Sequence, residues 1–168
     1  VSQALFPGFK IHAITNGVHP FTWTSPYLMS LYDKYLPGWA VEPELLVRVD
    51  IIPDKELREA HAGAKAYLFQ YIEATTGTIL DPDARTIGFA RRATAYKRAN
   101  MIFTDPDRLL KLGDGKLQLV FGGKAHPHDD FGKQMIKEIR QQAEFFGDRL
   151  KIVYLPNYNM DVASRLIP

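Results

Sequence analysis

Residues 54–75 carry the clearest period in the chain. Leu57, His61, Ala64, Leu68 and Tyr71 fall at steps of three or four, Asp54 and Glu56 stand at the start, and Gly77 follows the end. This pattern predicts an amphipathic helix. Residues 1–50 hold no sustained period. Pro7, Pro20, Pro26, Pro37 and Pro43, with Gly8, Gly17 and Gly38, cut them into short pieces, so irregular structure with brief helices is expected, one of them over 27–35. After a turn at 80–84, where two aspartates flank Pro82, the rhythm changes. Short apolar runs at 86–90, 117–121 and 151–155 read as strands. Helical stretches are expected at 99–112, at 130–146 with Met135, Ile136, Ile139 and Ala143 on one side, and from 161 to 167. Strands alternating with helices predict right-handed β-α-β units, a parallel sheet and an α/β class, with about half of a doubly wound sheet present. Half a sheet leaves an unpaired strand edge, which leaves self-association open.

Composition narrows the function classes. The 168 residues are 46% hydrophobic, enough for a substantial core, and 21 basic against 19 acidic side chains leave a formal charge of +2. That balance argues against a nucleic-acid binder built on a basic face. The absence of cysteine excludes a disulfide scaffold, a thiol nucleophile and thiolate metal sites. No run of 18 apolar residues and no signal-type N-terminus is found, so a cytoplasmic protein that does not cross a membrane is expected. The chain begins on Val1 and stops at Ile167-Pro168 inside a structured-looking segment. A piece of a longer protein is the expectation.

In parallel α/β sheets ligands gather beyond the carboxyl ends of the strands, here at 90–97, 122–127 and 156–159. The first of these loops holds Arg91, Arg92, Lys97 and Arg98, four cations within eight residues, which with free backbone N–H groups could converge on a phosphate. On one continuous helix Arg92 and Lys97 would diverge by about 140°. They can share an anion only if Arg92 lies in the loop and Lys97 near a first turn. A solvated basic face is the plain alternative. The second loop, Gly122-Gly123-Lys124-Ala125-His126-Pro127, permits close backbone approach but lacks the spacing of a Walker loop. His126, His128, Asp129 and Asp130 suggest a metal-hydrolase cluster, whereas helix capping explains the two aspartates as well. The third loop, Pro156-Asn157-Tyr158-Asn159, mixes amides with an aromatic ring. So does Asn16-Gly17 with Trp23 near the N-terminus, a combination common in sugar sites, although Trp23 and Trp39 can equally be core residues.

Together these segments resemble the α-glucan phosphorylases, the family of glycogen, starch and maltodextrin phosphorylase, and most of all its shorter bacterial and archaeal type. The stretches ITNGVHPFTW, IPDKELREAHAGAK, LDPDARTIGFARRATAYKRA, VFGGKAHP with GKQMIKEI, and GDRLKIVYLPNY with DVASRLIP stand in family order over nearly the whole chain. The resemblance implies a Rossmann-like three-layer α/β/α unit within a two-domain glycosyltransferase B-type fold. Residues 1–80 would form the end of the N-terminal domain with the crossing helices, and 81–168 the first half of the cofactor-binding C-terminal domain. It also implies pyridoxal 5'-phosphate as cofactor, and orthophosphate and an α-glucan as substrates. The reaction would be cleavage of terminal α-1,4 bonds to α-glucose 1-phosphate. By motif position Arg92 would bind the substrate phosphate and Lys97 would lie between it and the cofactor phosphate, with Arg91 beside them. Asn16 would hydrogen-bond the glucosyl unit, and Trp23 and Tyr158 would line the cofactor pocket. The lysine that carries the cofactor in this family has no counterpart here, so the isolated piece is expected to be inactive. Competing readings are a nucleotide-sugar glucan synthase of the same fold type and a non-catalytic glucan- or phosphate-binding module.

Overall fold

The computed structural model describes residues 2–168. The N-terminal third consists of the expected brief helices, α1 (Ser2–Leu5), α2 (Pro20–Trp23) and α3 (Pro26–Tyr35), followed by a 3₁₀ stretch at Pro43–Ile51. Residues 10–19 hold no regular element. α3 starts where the sequence dictates: Pro26 needs no N–H partner in the first turn, and the Ser25 hydroxyl accepts from the Leu28 N–H at 3.3 Å. Its Leu31 joins Leu36, Trp39 and Ile52 in a core against which Leu57 and Ala60 of the long helix α4 (Asp54–Thr76) pack. Trp39 is buried here as a core residue, with its indole N–H donating to Asp33 at 2.9 Å. α4 ends on Gly77, whose φ of +72° closes the helix in the left-handed region.

Beyond α4 the chain builds a parallel sheet. Strands β1 (Arg85–Ala90), β2 (Leu117–Gly122) and β3 (Lys151–Leu155) lie in that order, with Ile87 opposite Leu119 and Leu119 opposite Ile152. Helices α5 (Pro106–Gly113) and α6 (Asp130–Phe146) connect them, and α7 (Met160–Leu166) follows β3. Strand alternation sorts the apolar side chains into two cores. Leu119, Phe121 and Ile152 face α5 and α6, where they meet Leu109, Met135, Ile139 and Phe146. Val120, Val153 and Leu155 face the other way, onto Leu68, Phe69 and Ile72 of α4 and Val162 of α7. The result is a three-layer α/β/α arrangement, and α4 supplies one of its outer layers.

One predicted element differs. The helix expected over 99–112 is split into a 3₁₀ turn at Ala99–Phe103 and α5. Pro106 disfavours the helical conformation at Asp105, and the Asp105 carboxylate accepts from the Arg108 N–H at 3.0 Å, starting a new helix instead.

The approach to β1 is fixed by one buried side chain. Gln118 is 1% exposed; its amide oxygen accepts from the Asp81 N–H at 3.0 Å, and its amide nitrogen donates to the Asp81 carbonyl and the Thr86 hydroxyl, both at 2.8 Å. Every polar atom of the group is engaged, which makes a buried amide tolerable in a central strand.

Candidate active site

The loops after β1 and β2 run side by side. Arg91 N–H donates to the Gly122 carbonyl and Ala93 N–H to the Lys124 carbonyl, both at 3.1 Å, so the pairing of the two strands continues past their ends. Two glycines hold the first loop in place. A β-carbon on Gly123 would overlap the Arg91 carbonyl oxygen, and one on Gly132, in the first turn of α6, would overlap that of Ala93. Tyr154 on β3 adds a third support, its phenol donating to the Gly123 carbonyl at 2.8 Å. Burial raises the Tyr154 phenol above its usual pKa, so it remains a protonated donor across the neutral range.

The third loop closes against the second. Asn157 adopts φ +54°, a conformation asparagine tolerates better than most residues, and Asn159 caps α7 by accepting from the Val162 N–H at 3.0 Å. Between them the Tyr158 ring comes close enough to Gly122 that a β-carbon there would stand 3.0 Å from it. Backbone overlap therefore requires glycine at positions 123 and 132, and at 122 a side chain would press on the Tyr158 ring.

Into this frame the first loop delivers its cations. Arg91 and Arg92 are exposed in the loop, and Lys97 closes a 3₁₀ turn at Ala95–Lys97, with Arg98 left-handed at φ +50° behind it. Arg92 thus lies in the loop and Lys97 at the end of the turn, so the two do not share one continuous helix. Among the described residues none of the four cations is in an ion pair with a carboxylate. The Lys97 ammonium sits 4.4 Å from the Tyr96 ring centroid. Lys97, as hydrogen-bond donor first and then as a charge, lowers the Tyr96 phenol from its ordinary pKa, and Arg92 and Arg91 add to the effect. The loop is thus a local excess of positive potential with unused donors. The Thr94 hydroxyl, buried and without a hydrogen-bond partner among the described residues, lies in the same loop. Cations without carboxylate partners, an orphan hydroxyl and a backbone pressed onto glycines suit a phosphate group.

The remaining sequence-derived residues lie apart from this cluster. Asn16 is exposed within residues 10–19, and Trp23 is half-buried at the end of α2. Among the described residues no hydrogen bond or ring contact joins either to the strand-end loops. The His-Asp stretch has other employment. Asp129 accepts from the Gly132 N–H at 2.9 Å as the cap of α6, Asp130 pairs with Lys133 at 2.9 Å, and His126 Nδ1 accepts from the His128 N–H at 3.2 Å. Among the described residues no three His, Asp or Glu side chains converge as a metal site, and no helix is long and apolar enough to cross a membrane. Gly132, Thr94 and Tyr154 are contributors that the sequence did not single out. Gly132 had a faint signal, a glycine in the first turn of a helix, where alanine would normally serve better.

Similarity to known proteins agrees with this geometry. The family model described as carbohydrate phosphorylase matches residues 3–168. The glycogen phosphorylase of Aquifex aeolicus is 38% identical over 184 aligned positions, covering 94% of this chain and 26% of the relative. The maltodextrin phosphorylase of Thermococcus litoralis is 34% identical over 176 positions, covering 94% and 21%. The cytosolic alpha-glucan phosphorylase 2 of Arabidopsis thaliana is 31% identical over 185, covering 95% and 22%. The chain spans between about a fifth and a quarter of the length of these curated relatives. With a family match over almost every residue and its basic loop built at the carboxyl end of β1, the chain belongs to the carbohydrate phosphorylase family.

Proposed function

We propose that this chain is the phosphate-handling stretch of an α-glucan phosphorylase, an enzyme that uses orthophosphate to cleave a terminal α-1,4-glucosidic bond and releases α-glucose 1-phosphate. The observation that carries the reading is the loop Arg91–Lys97: cations without carboxylate partners, on a backbone clamped by Gly123 and Gly132, at the carboxyl end of a parallel strand. Phosphorolysis needs a dianionic nucleophile held against a glycosidic carbon. Arg92 in the loop and Lys97 in the adjoining turn supply two positive groups from two directions, and Arg91 a third. Prefixed donors of this kind cost no reorganisation when charge develops in the transition state.

Pyridoxal 5'-phosphate fits the same donor set by its phosphate end. Lys97 would stand between cofactor and substrate phosphates, while Tyr158, fixed on Gly122, and Trp23 would offer ring faces to the pyridine. When bound, the cofactor supplies a second phosphate able to exchange a proton with orthophosphate. Asn16 would hydrogen-bond the glucosyl unit. Residues 1–80 would complete one domain of a two-domain glycosyltransferase B-type enzyme and provide the crossing helices, with α4 docked on the sheet. Residues 81–168 would form the first half of the second domain, in a cytoplasmic protein.

The test is phosphorolysis of maltodextrin by the intact protein with the cofactor and orthophosphate, read as glucose 1-phosphate. Formation of glucose 1-phosphate supports the reading; transfer of glucose from ADP-glucose or UDP-glucose without phosphorolysis would replace it with the synthase reading. The 168-residue chain alone is expected to form none.

A further inference from the structure

Gly63 lies in the interior of the 23-residue helix α4, where alanine would favour the helical backbone. The reason for a glycine lies outside the helix: a β-carbon on Gly63 would overlap the ring of Tyr27, in the first turn of α3. One and two turns further along α4 stand Tyr67 and Tyr71, so the three positions run down one side of the helix. The two tyrosine rings receive the guanidinium of Arg165 from α7, which lies 4.5 and 5.0 Å from their centroids. Asp161, one turn earlier on α7, accepts from the same guanidinium at 3.0 Å and orients it. α7 is thus held to α4 at two points, by Val162 in the core with Ile72 and by Arg165 on the tyrosines.

Both elements docked on this side of α4 lead directly to site residues. Trp23 closes α2 four residues before Tyr27, and Tyr158 stands seven residues before Arg165. Each lead is short and passes through a helix cap, Ser25 accepting from the Leu28 N–H and Asn159 from the Val162 N–H. A cleft of about 230 Å³ separates them, lined by Phe21 and Thr24 from the end of α2, by Tyr67 of α4, and by Asp161 and Arg165 of α7.

We propose that Gly63 and Arg165 are positioning residues for the cofactor pocket. Through them one side of α4 sets the separation between the Trp23 turn and the Tyr158 loop. Gly63 fixes where α3 starts, because Tyr27 can lie on the helix only where no side chain stands. Arg165 fixes the rotation of α7, because Val162 alone would leave it free to turn about one contact. The proposal rests on the functional reading above, which gives Trp23 and Tyr158 to the two faces of the cofactor ring. Each residue acts through the ring it places.

Titration of the intact protein with pyridoxal phosphate, read by the cofactor's absorbance or fluorescence, tests this role apart from activity. Gly63→Ala and Arg165→Ala should each weaken cofactor binding about fivefold or more, the scale of one displaced aromatic contact. Gly63→Ala introduces a better helix former and should keep the melting temperature within about 3 °C of the parent. At saturating cofactor the KM for orthophosphate should hold in both variants, because the Arg91–Lys97 loop is clamped by Gly123 and Gly132 and not by α4. Arg58→Ala, which removes an exposed cation paired with Asp54 on α4, should bind the cofactor like the parent. Parent-like affinity in Gly63→Ala or Arg165→Ala would overturn the proposal and leave the functional reading standing. A loss of affinity in Gly63→Ala that only follows a fall in melting temperature would overturn it as well, since general destabilisation would then account for both. A parent that binds no pyridoxal phosphate would instead reject the cofactor reading on which the proposal rests.

Discussion

The carbonyl oxygen of Arg91 occupies the space that a β-carbon at Gly123 would fill. Because the obstruction is backbone on a clamped loop, it cannot move without breaking the Arg91–Gly122 and Ala93–Lys124 hydrogen bonds. Gly123→Ala is expected to destabilise the protein by about 1–3 kcal/mol, the usual cost of overpacking. Gly17→Ala, where nothing lies within 4 Å of the added carbon, should stay within about 0.5 kcal/mol of the parent. Chemical denaturation of both variants checks the contrast, and equal midpoints would mean that the loop is not clamped.

Gln118 links β2 to the linker before β1. Gln118→Met keeps the volume but leaves the N–H and C=O of Asp81 and the Thr86 hydroxyl without their partner. A loss of about 1–3 kcal/mol is expected, as for other unpaired polar groups. Amide exchange at Asp81 should accelerate in the same variant, since the lost bond belongs to that N–H.

Acid and alkali should each weaken the contact between α3 and α4. Lys34 donates to Glu56 at 2.7 Å and Tyr35 to its other oxygen at 2.6 Å. The hydrogen bonds from Lys34 and then Tyr35 hold the Glu56 carboxyl below its ordinary value, and the bond to Glu56 holds Lys34 above its own. A depressed carboxylate contributes its stability above the unfolded value and loses it as pH falls through the folded one. A raised lysine contributes below its unfolded value and loses it as pH rises through the folded one. The melting temperature of the parent should therefore exceed that of Glu56→Gln through the neutral range, and the gap should close in acid. A gap that persists once the pH has fallen below the lowered folded-state value would assign the effect to packing.

The sheet was legible in the sequence because strands buried on both faces write themselves as short, mostly apolar runs. Leu117 to Phe121 and Lys151 to Leu155 stand in β2 and β3 where those runs predict them. The break before α5 was harder to see. Leu109 and Leu112 continue a helical rhythm across Pro106, and only the pairing of Asp105 as cap with proline in the first turn marks the restart. The role of α4 as an outer layer was not visible, because its period reports that one face is buried and says nothing about against what. In the site, the cations could be read directly. The clamp could not, since the need for glycine at 132 arises from the Ala93 carbonyl, 39 positions away in the chain. Tyr154 was hidden for a related reason: an aromatic residue in a strand looks like core until its hydroxyl is found on the Gly123 carbonyl.

Tyr158 separates packing from cofactor contact. Tyr158→Phe retains the ring on Gly122 and should leave both the unfolding midpoint and cofactor affinity of the intact protein nearly unchanged. Tyr158→Ala removes the ring and should weaken cofactor binding about tenfold or more, in line with loss of an aromatic contact of about 1.4 kcal/mol. Fluorescence titration with pyridoxal phosphate reads both. Unaltered affinity in Tyr158→Ala would remove this residue from the cofactor pocket.

The central claim is that the Arg91–Lys97 loop handles phosphate, and the orthophosphate dependence of glucose 1-phosphate formation by the intact protein addresses it most directly. Arg92→Ala is expected to lower kcat/KM for orthophosphate by about 10² or more, the usual loss when one fixed donor to a developing charge is removed. Lys97→Ala should do the same, while Lys137→Ala, exposed on α6, should leave the rate unchanged. Arg92→Ala and Lys97→Ala variants that keep the parent's dependence on orthophosphate would contradict the account.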